Sequence, residues 1–97
     1  MHKNDAAELF KVLGNPNRVK MVKILYNTES VSKNQFAKAF DCDEKALRYH
    51  LDLLTKCNLF KMNVTNESET YVCNRELVDE LMSFVSTRCK CCDTINE

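Results

Sequence analysis

The sequence is poor in residues that interrupt helices, since its 97 residues include only one glycine and one proline. A chain with so few turn-forming residues favours helices joined by short connections over a turn-rich all-β fold. It also lacks a long apolar run: no stretch approaches the roughly 20 apolar residues that a membrane-spanning helix needs, and the polar first residues do not form a secretion signal. We therefore expect a mostly α-helical cytoplasmic protein that has no membrane partner.

The chain also lacks an excess of charge of either sign, because 14 basic side chains balance 14 acidic ones. A net charge of zero argues against a strong grip on nucleic acid that ignores sequence. The charges are unevenly distributed, however: residues 1–62 carry eleven basic and seven acidic side chains, and residues 63–97 carry three and seven. This distribution predicts that one face can approach phosphate while another is kept away from it.

The length and the 44% hydrophobic content fit one domain with a modest core. A domain of this size buries a smaller fraction of its surface than a larger one does. A partner that covers an exposed apolar face would stabilise it, so we expect a dimer.

Helical periodicity dominates the first 57 residues. A first helix is predicted over Ala6–Leu13, ended by Gly14 as a left-handed cap, and Asn15-Pro16 starts a second helix that runs to about Asn27. Ser32 and Gln35 form a capping-box pattern for a short third helix. Asp43 can cap a fourth helix, 44–57, whose leucines recur along one face, and Asn58 can end it.

After residue 58 the apolar period changes from helical to two. Phe60, Met62 and Val64 alternate with polar residues, residues 65–68 are turn material, and residues 70–73 make a returning strand. Asn74 can cap a last helix with a broad apolar face. The order helix, helix, helix, turn, helix, hairpin, helix predicts a mostly α fold with a β-hairpin wing, a winged helix-turn-helix.

Several motifs along the chain resemble those of the ArsR/SmtB family of repressors. They are Gly14-Asn15-Pro16-Asn17-Arg18 at the start of the second helix, Ala46 to Leu51 with its His50-Leu51 pair, and Leu59-Phe60 leading into the hairpin. The resemblance covers about residues 5–88. It divides the chain into a frayed N-terminus (1–4), a winged helix-turn-helix DNA-binding domain (5–88) and a cysteine-rich tail (89–97).

The resemblance implies a homodimer that binds a near-palindromic operator in double-stranded DNA, with the fourth helix of each subunit in one major groove. It also implies that the first and last helices form the dimer interface, for which the candidates are Leu9, Phe10, Leu77, Leu81, Phe84 and Val85. The wing departs from the family, because Glu67 and Glu69 flank a tip where the family often has Gly and Arg.

The positions of the fourth helix away from its leucines, which could reach base edges or the DNA backbone, are Glu44, Lys45, Arg48, Tyr49 and Asp52. Arg48 is the first choice for reading a base, since arginine can pair bidentately with guanine. Lys45 and Lys33 are expected at phosphates, and Ser32 and Gln35 are expected to add hydrogen bonds. The DNA-binding candidates are Lys45, Arg48, Tyr49, Glu44, Ser32, Lys33 and Gln35. The alternative is a solvated charged face without a ligand. His50 lies near the leucines, which favours a partly buried histidine over a metal ligand or catalyst.

Three of the six cysteines, Cys89, Cys91 and Cys92, lie within four residues of the tail. Adjacent thiolates suit soft ions such as Zn(II), Cd(II), Pb(II), Cu(I) or As(III). A tetrahedral ion would need a fourth ligand, for which the candidates are Cys57 and a thiol of the other subunit. The alternatives are a tail that oxidises, one that links subunits by a disulfide, or one that holds a structural zinc. Cys42, Cys57 and Cys73 are expected in the core.

The resulting hypothesis is a DNA-binding repressor, released from its operator by a soft ion or by oxidation at the tail cysteines. One alternative is a winged-helix module that binds a protein partner. Another is a thiol enzyme or metal carrier, which ranks lower because the sequence places no general base near the thiols and contains no catalytic motif. We therefore expect no enzyme activity and no cofactor required for folding.

Overall fold

The computed structural model describes residues 1–66 and 68–86. In this part of the chain five helices and three strands follow one another. Their bounds are α1 Lys3–Val12, α2 Pro16–Tyr26, β1 Val31–Ser32, α3 Lys33–Ala39, α4 Glu44–Lys56, β2 Phe60–Thr65, β3 Ser68–Cys73 and α5 Arg75–Ser86. The helices α3 and α4 form a helix-turn-helix, and β2 and β3 form the wing. The expected winged helix-turn-helix is confirmed.

The helix starts follow the predicted capping residues. The Asn15 side chain accepts hydrogen bonds from the backbone N–H groups of Asn17 and Arg18, at 2.9 and 3.3 Å. Ser32 and Gln35 form the predicted capping box at the start of α3. Asp43 accepts from the backbone N–H of Ala46 at 2.7 Å. Each cap satisfies helix-end donors that have no partner within the helix.

Two predictions about α1 are wrong. The helix begins at Lys3 rather than at Ala6, and the His2 ring caps it by accepting a hydrogen bond from the Asn4 N–H at 3.1 Å. Gly14 does not have the positive φ of a left-handed cap, and the C-cap of the helix is Leu13, whose backbone is right-handed helical. A glycine at this position avoids a close contact, because a Cβ at position 14 would lie 3.3 Å from the Lys11 carbonyl oxygen.

The sheet contains one strand more than the sequence predicted. Its order is β1-β3-β2, antiparallel throughout, with Val31 opposite Tyr71. A two-residue strand is too short to show a period, so β1 was not predictable from alternation. Over residues 1–66 and 68–86, the residues with left-handed backbone are Asn58, as predicted at the end of α4, and Asn66 in the hairpin turn.

The core joins the sheet to the back of α4. Phe36, Phe60 and Tyr71 make mutual ring contacts with centroids 6.2–6.4 Å apart. Leu47, Leu51 and Leu54 of α4 are fully buried in the same core. Burying a leucine contributes about 1.5–3 kcal/mol, so this row of side chains fixes which face of α4 points outward. Within the described residues, each helix is too short or too polar to cross a bilayer.

Candidate nucleic-acid interface

The face of α4 opposite its leucines is exposed and carries a regular set of side chains. Lys45, Tyr49, Asp52 and Lys56 follow one another at steps of four, three and four residues, so they share one side of the helix. We call this set the outer stripe. All four are exposed, and Tyr49 is 60% exposed. A cation at each end and an exposed aromatic ring between them can contact phosphates and base edges.

Lys56 is the residue of the outer stripe that sequence reasoning missed. It lies in the last turn of α4, beside Cys57, where the helix was expected to end. Extending the spacing of Lys45, Tyr49 and Asp52 by one more step of four residues reaches Lys56. The periodicity on the polar face of the helix was therefore the signal that identifies it.

Arg48 lies at the wing side of α4 rather than in the outer stripe. Its Nη1 is 3.3 Å from Oε2 of Glu69 on β3, and its Nη2 donates to Oε1 of the same carboxylate at 3.3 Å. The Arg48 side chain stays 41% exposed. The hydrogen bond and charge of Glu69 raise the pKa of Arg48 above its ordinary value. The predicted base-reading residue is thus paired with the wing.

Tyr71 is the third member of this contact. Its ring is buried in the core, and its hydroxyl donates to Oε2 of Glu69 at 3.4 Å. Burial first, and the negative charge of Glu69 second, raise the pKa of Tyr71 to about 12. The hydroxyl therefore keeps its proton at neutral pH and can act as a donor to Glu69.

Four further DNA-binding candidates interact with one another. Lys33 and Glu44 form an ion pair of 3.0 Å between α3 and α4, and the Lys33 hydrogen bond and charge lower the pKa of Glu44. Gln35 Oε1 accepts from the Ser32 backbone N–H at 2.8 Å, and Ser32 Oγ accepts from the Gln35 N–H at 3.1 Å. In the structure these four residues cap α3 and join it to α4.

His50 is buried and hydrogen-bonded within the protein. Arg18 Nη1 lies 3.0 Å from His50 Nδ1, and Arg18 Nε donates to the Val12 carbonyl at 2.6 Å. Because arginine only donates, Nδ1 of His50 must accept, which requires a ring without a proton on Nδ1. Burial, and then the Arg18 charge, lower the pKa of His50. The expectation of a satisfied structural histidine agrees with this geometry.

The cysteines fall into two groups. Cys42, Cys57 and Cys73 are partly buried against the core, and burial raises the pKa of both Cys57 and Cys73. A raised pKa disfavours the thiolate form that binds metals. Cys89, Cys91 and Cys92 lie outside the described residues. Over residues 1–66 and 68–86, no group of three or more His, Cys, Asp or Glu side chains is placed to hold a metal ion.

The proposed dimer residues differ in their exposure. Leu9 and Leu81 are buried within the protomer, and Leu77 is half-buried. Phe10, Phe84 and Val85 are exposed, the last at 59%. Phe84 and Val85 continue the face of α5 that carries Leu77 and Leu81, so the apolar face extends beyond the part covered by the protomer.

Solved structures with the same fold include bacterial regulators. An ArsR family transcriptional regulator is 16% identical, with a TM-score of 0.70, and the alignment covers 91% of this chain and 98% of that one. An ArsR-like transcriptional regulator from Rhodococcus sp. is 17% identical, with a TM-score of 0.74 over 84% of this chain and 76% of that one. HlyU from Vibrio cholerae is 20% identical, with a TM-score of 0.71 over 91% of this chain and all of that one.

The structural neighbours are thus ArsR family regulators and HlyU, in agreement with the resemblance found in the sequence. No protein-family model matches the chain, and neither does any curated protein sequence. At identities of 16–20%, the likeness establishes the fold. Function has to be argued from the surface of α4 and its surroundings.

Proposed function

We propose that the protein is a DNA-binding transcriptional regulator of the ArsR type, acting in the cytoplasm, and that it is not an enzyme. The observation that carries the proposal is the outer stripe, a row of exposed DNA-compatible side chains on the second helix of a helix-turn-helix. The opposite face of this helix is locked into the core by Leu47, Leu51 and Leu54. A rigid helix with one polar outer face matches the way recognition helices enter the major groove.

Each member of the outer stripe has a role in this proposal. Lys45 and Lys56 neutralise phosphates at the two ends of α4, and the Tyr49 ring contacts base edges or the thymine methyl group. Asp52 can accept a hydrogen bond from the amino group of cytosine. Arg48 extends the contact surface toward the wing.

The subunits of the regulator would pair through exposed apolar side chains, Phe10 on α1 and the Phe84 and Val85 end of the apolar face of α5. A twofold axis then places two α4 helices against successive major grooves, about one helical turn or 34 Å apart. The operator is accordingly near-palindromic. The continuity of this face along α5 supports the pairing, since an uncovered apolar stripe is costly in water.

Sensing is assigned to the tail. Cys89, Cys91 and Cys92 provide three thiols within four residues, and Cys89 follows the last residue of α5, Ser86, by three positions in sequence. A soft ion such as As(III), Cd(II), Pb(II), Zn(II) or Cu(I), or oxidation, would change α5 and hence the spacing of the two α4 helices. The protein would then act as a repressor that leaves DNA when the tail is occupied.

The DNA-binding proposal is tested by selection from a random duplex library, followed by mobility shifts on the selected sequence. Tyr49→Ala and Lys45→Ala should each weaken binding about fivefold or more, because each removes a contact of about 1–3 kcal/mol. Lys23→Ala, at an exposed site on α2, is the matched control and should bind like the wild type. Selection of no sequence by the wild type would refute the proposal.

The sensing proposal is tested with the triple variant Cys89→Ser, Cys91→Ser, Cys92→Ser. It should bind the selected duplex like the wild type and resist release by a panel of soft ions. Native mass spectrometry of the wild type with the same ions should show subunit count, ion and stoichiometry together. Release of the triple variant at wild-type ion concentrations would show that the sensor lies elsewhere.

A second candidate function is a winged-helix module for a protein partner. It is favoured by one observation, the internal neutralisation of two of the predicted DNA-binding cations: Lys33 by Glu44 and Arg48 by Glu69. The two candidates differ in salt dependence. Phosphate contacts by Lys45 and Lys56 of two subunits give an affinity that falls steeply with salt, whereas binding that ignores both salt and DNA sequence would favour the protein module.

A further inference from the structure

The contact between α4 and the wing is a chain of three side chains that starts in the core. The Tyr71 hydroxyl donates to the Glu69 carboxylate, and both oxygens of that carboxylate face the Arg48 guanidinium. The Tyr71 ring itself is 1% exposed and packs against Phe36 and Phe60. The buried Tyr71 ring therefore fixes the position of its hydroxyl, and this hydroxyl orients the Glu69 carboxylate. The carboxylate in turn orients the Arg48 guanidinium.

The geometry of the pair leaves part of the guanidinium available. Arginine has five N–H donors in a planar fork. Glu69 meets the end of the fork, formed by Nη1 and Nη2, with one contact to each nitrogen. The side of the fork, formed by Nε–H and one remaining Nη–H, is a second bidentate face of the same group. Arg48 can thus bind Glu69 and a guanine at the same time.

The charge of the pair matters as well. Glu69 offsets the positive charge of Arg48, so the pair adds less to the general attraction for phosphate than a lone arginine would. A guanidinium whose charge is offset but whose orientation is fixed contributes more to discrimination between base pairs than to the total affinity for DNA. Such an arrangement suits a protein whose net charge is zero.

We propose that Glu69 is a positioning residue for sequence recognition: it holds Arg48 so that the free side of its guanidinium reads a guanine at one base pair of each half-site. The inference rests on the proposed DNA-binding function and deepens it. The wing then acts through its carboxylate on the recognition helix. Glu69, one of the two acidic residues by which the wing departs from the family, thereby has a role in specificity.

The test is a parallel selection from a random duplex library with wild type, Arg48→Ala, Glu69→Gln and the double variant. Arg48→Ala should erase a guanine preference at one base pair per half-site, a loss of about tenfold in discrimination. Glu69→Gln should weaken the preference at that same base pair, by about threefold, while total affinity at low salt stays equal or rises. The double variant should lose no more discrimination than Arg48→Ala, because the two residues act as one unit.

Glu76→Gln is the matched control, since it makes the same charge change on the exposed first turn of α5. It should keep the full preference. Tyr71→Phe retains the ring but removes the hydroxyl that holds Glu69, and it should give a loss at the same base pair that is smaller than that of Glu69→Gln. Equal melting temperatures of the variants would exclude misfolding as the cause.

The inference is overturned if Glu69→Gln tightens binding to all sequences alike and retains the guanine preference at full strength, since Glu69 would then only mask Arg48. It is also overturned if Arg48→Ala changes no base preference. Failure of the wild type to select any sequence is a different result, because it removes the DNA-binding function itself and the inference with it.

Discussion

At the level of single residues, Gly14, Asn15 and Arg18 each have a distinct structural role in the turn between α1 and α2. Gly14 makes room for the close turn, and Asn15 caps α2 by accepting from the Arg18 backbone N–H. The Arg18 side chain then reaches back to the Val12 carbonyl and across to His50 on α4. One arginine therefore joins the end of α1 and the start of α2 to α4.

Arg18→Met should destabilise the fold by about 1–3 kcal/mol, because it leaves the Val12 carbonyl and the His50 ring without a charged donor. The free energy of unfolding can be measured by urea denaturation. Lys23→Met is the matched control on the same helix, at an exposed site, and should stay within about 0.5 kcal/mol of the wild type. Equal losses of unfolding free energy in both variants would show that the Arg18 hydrogen bonds do not stabilise the fold.

His50 should make stability depend on pH. Its pKa is lowered in the folded protein, so the unfolded chain takes up the proton first as the pH falls. The contribution of neutral His50 is complete above its ordinary pKa of about 6.5 and is lost as the pH falls below that value toward the folded pKa. His50→Gln should therefore lose less stability between pH 7.5 and pH 5.5 than the wild type, as measured by denaturation at both pH values. Equal losses would contradict the assignment.

At the scale of elements, most of the fold was predictable because its signals are local. Leu47, Leu51 and Leu54 mark the buried side of α4 by their spacing, and Asn15, Ser32 and Asp43 mark helix starts by their side-chain chemistry. The start of α1 and the strand β1 were missed, since a capping histidine and a two-residue strand carry weak local signals.

The candidate site was less predictable, because its pairs join residues far apart in sequence. Lys33 and Glu44 are separated by 11 positions, and Arg48 and Glu69 by 21. The sequence identified these residues as polar and suitable for DNA. It could not show that they neutralise one another, since that depends on how α3 and the wing pack against α4.

Helix α3 should depend strongly on its capping box, because it has only seven residues. Ser32→Ala removes one half of the box and should cost about 1 kcal/mol of stability. Asn34→Ala, at the next exposed site on α3, is the control and should cost less. Amide hydrogen exchange of residues 33–39 should speed up in Ser32→Ala; unchanged exchange would show that packing of Phe36 alone holds the helix.

At the scale of the whole molecule, the exposed apolar end of α5 predicts self-association. Phe84→Glu places a charge on the proposed interface and should convert a dimer to a monomer in sedimentation equilibrium, and weaken binding to a two-half-site duplex. Asn34→Glu adds the same charge on α3 and should remain dimeric. A wild-type protein that is monomeric at concentrations of about 100 μM would contradict the proposed interface.

The account as a whole depends on the outer stripe of α4 lying against DNA. The direct measurement is a titration of the isotope-labelled protein with the selected duplex, followed by amide and side-chain chemical shifts. We expect the largest shifts at Lys45, Tyr49, Asp52 and Lys56, with smaller ones on α3 and the wing. Shifts confined to α1 and α5, or none at all at saturating duplex, would contradict the proposal that α4 recognises DNA.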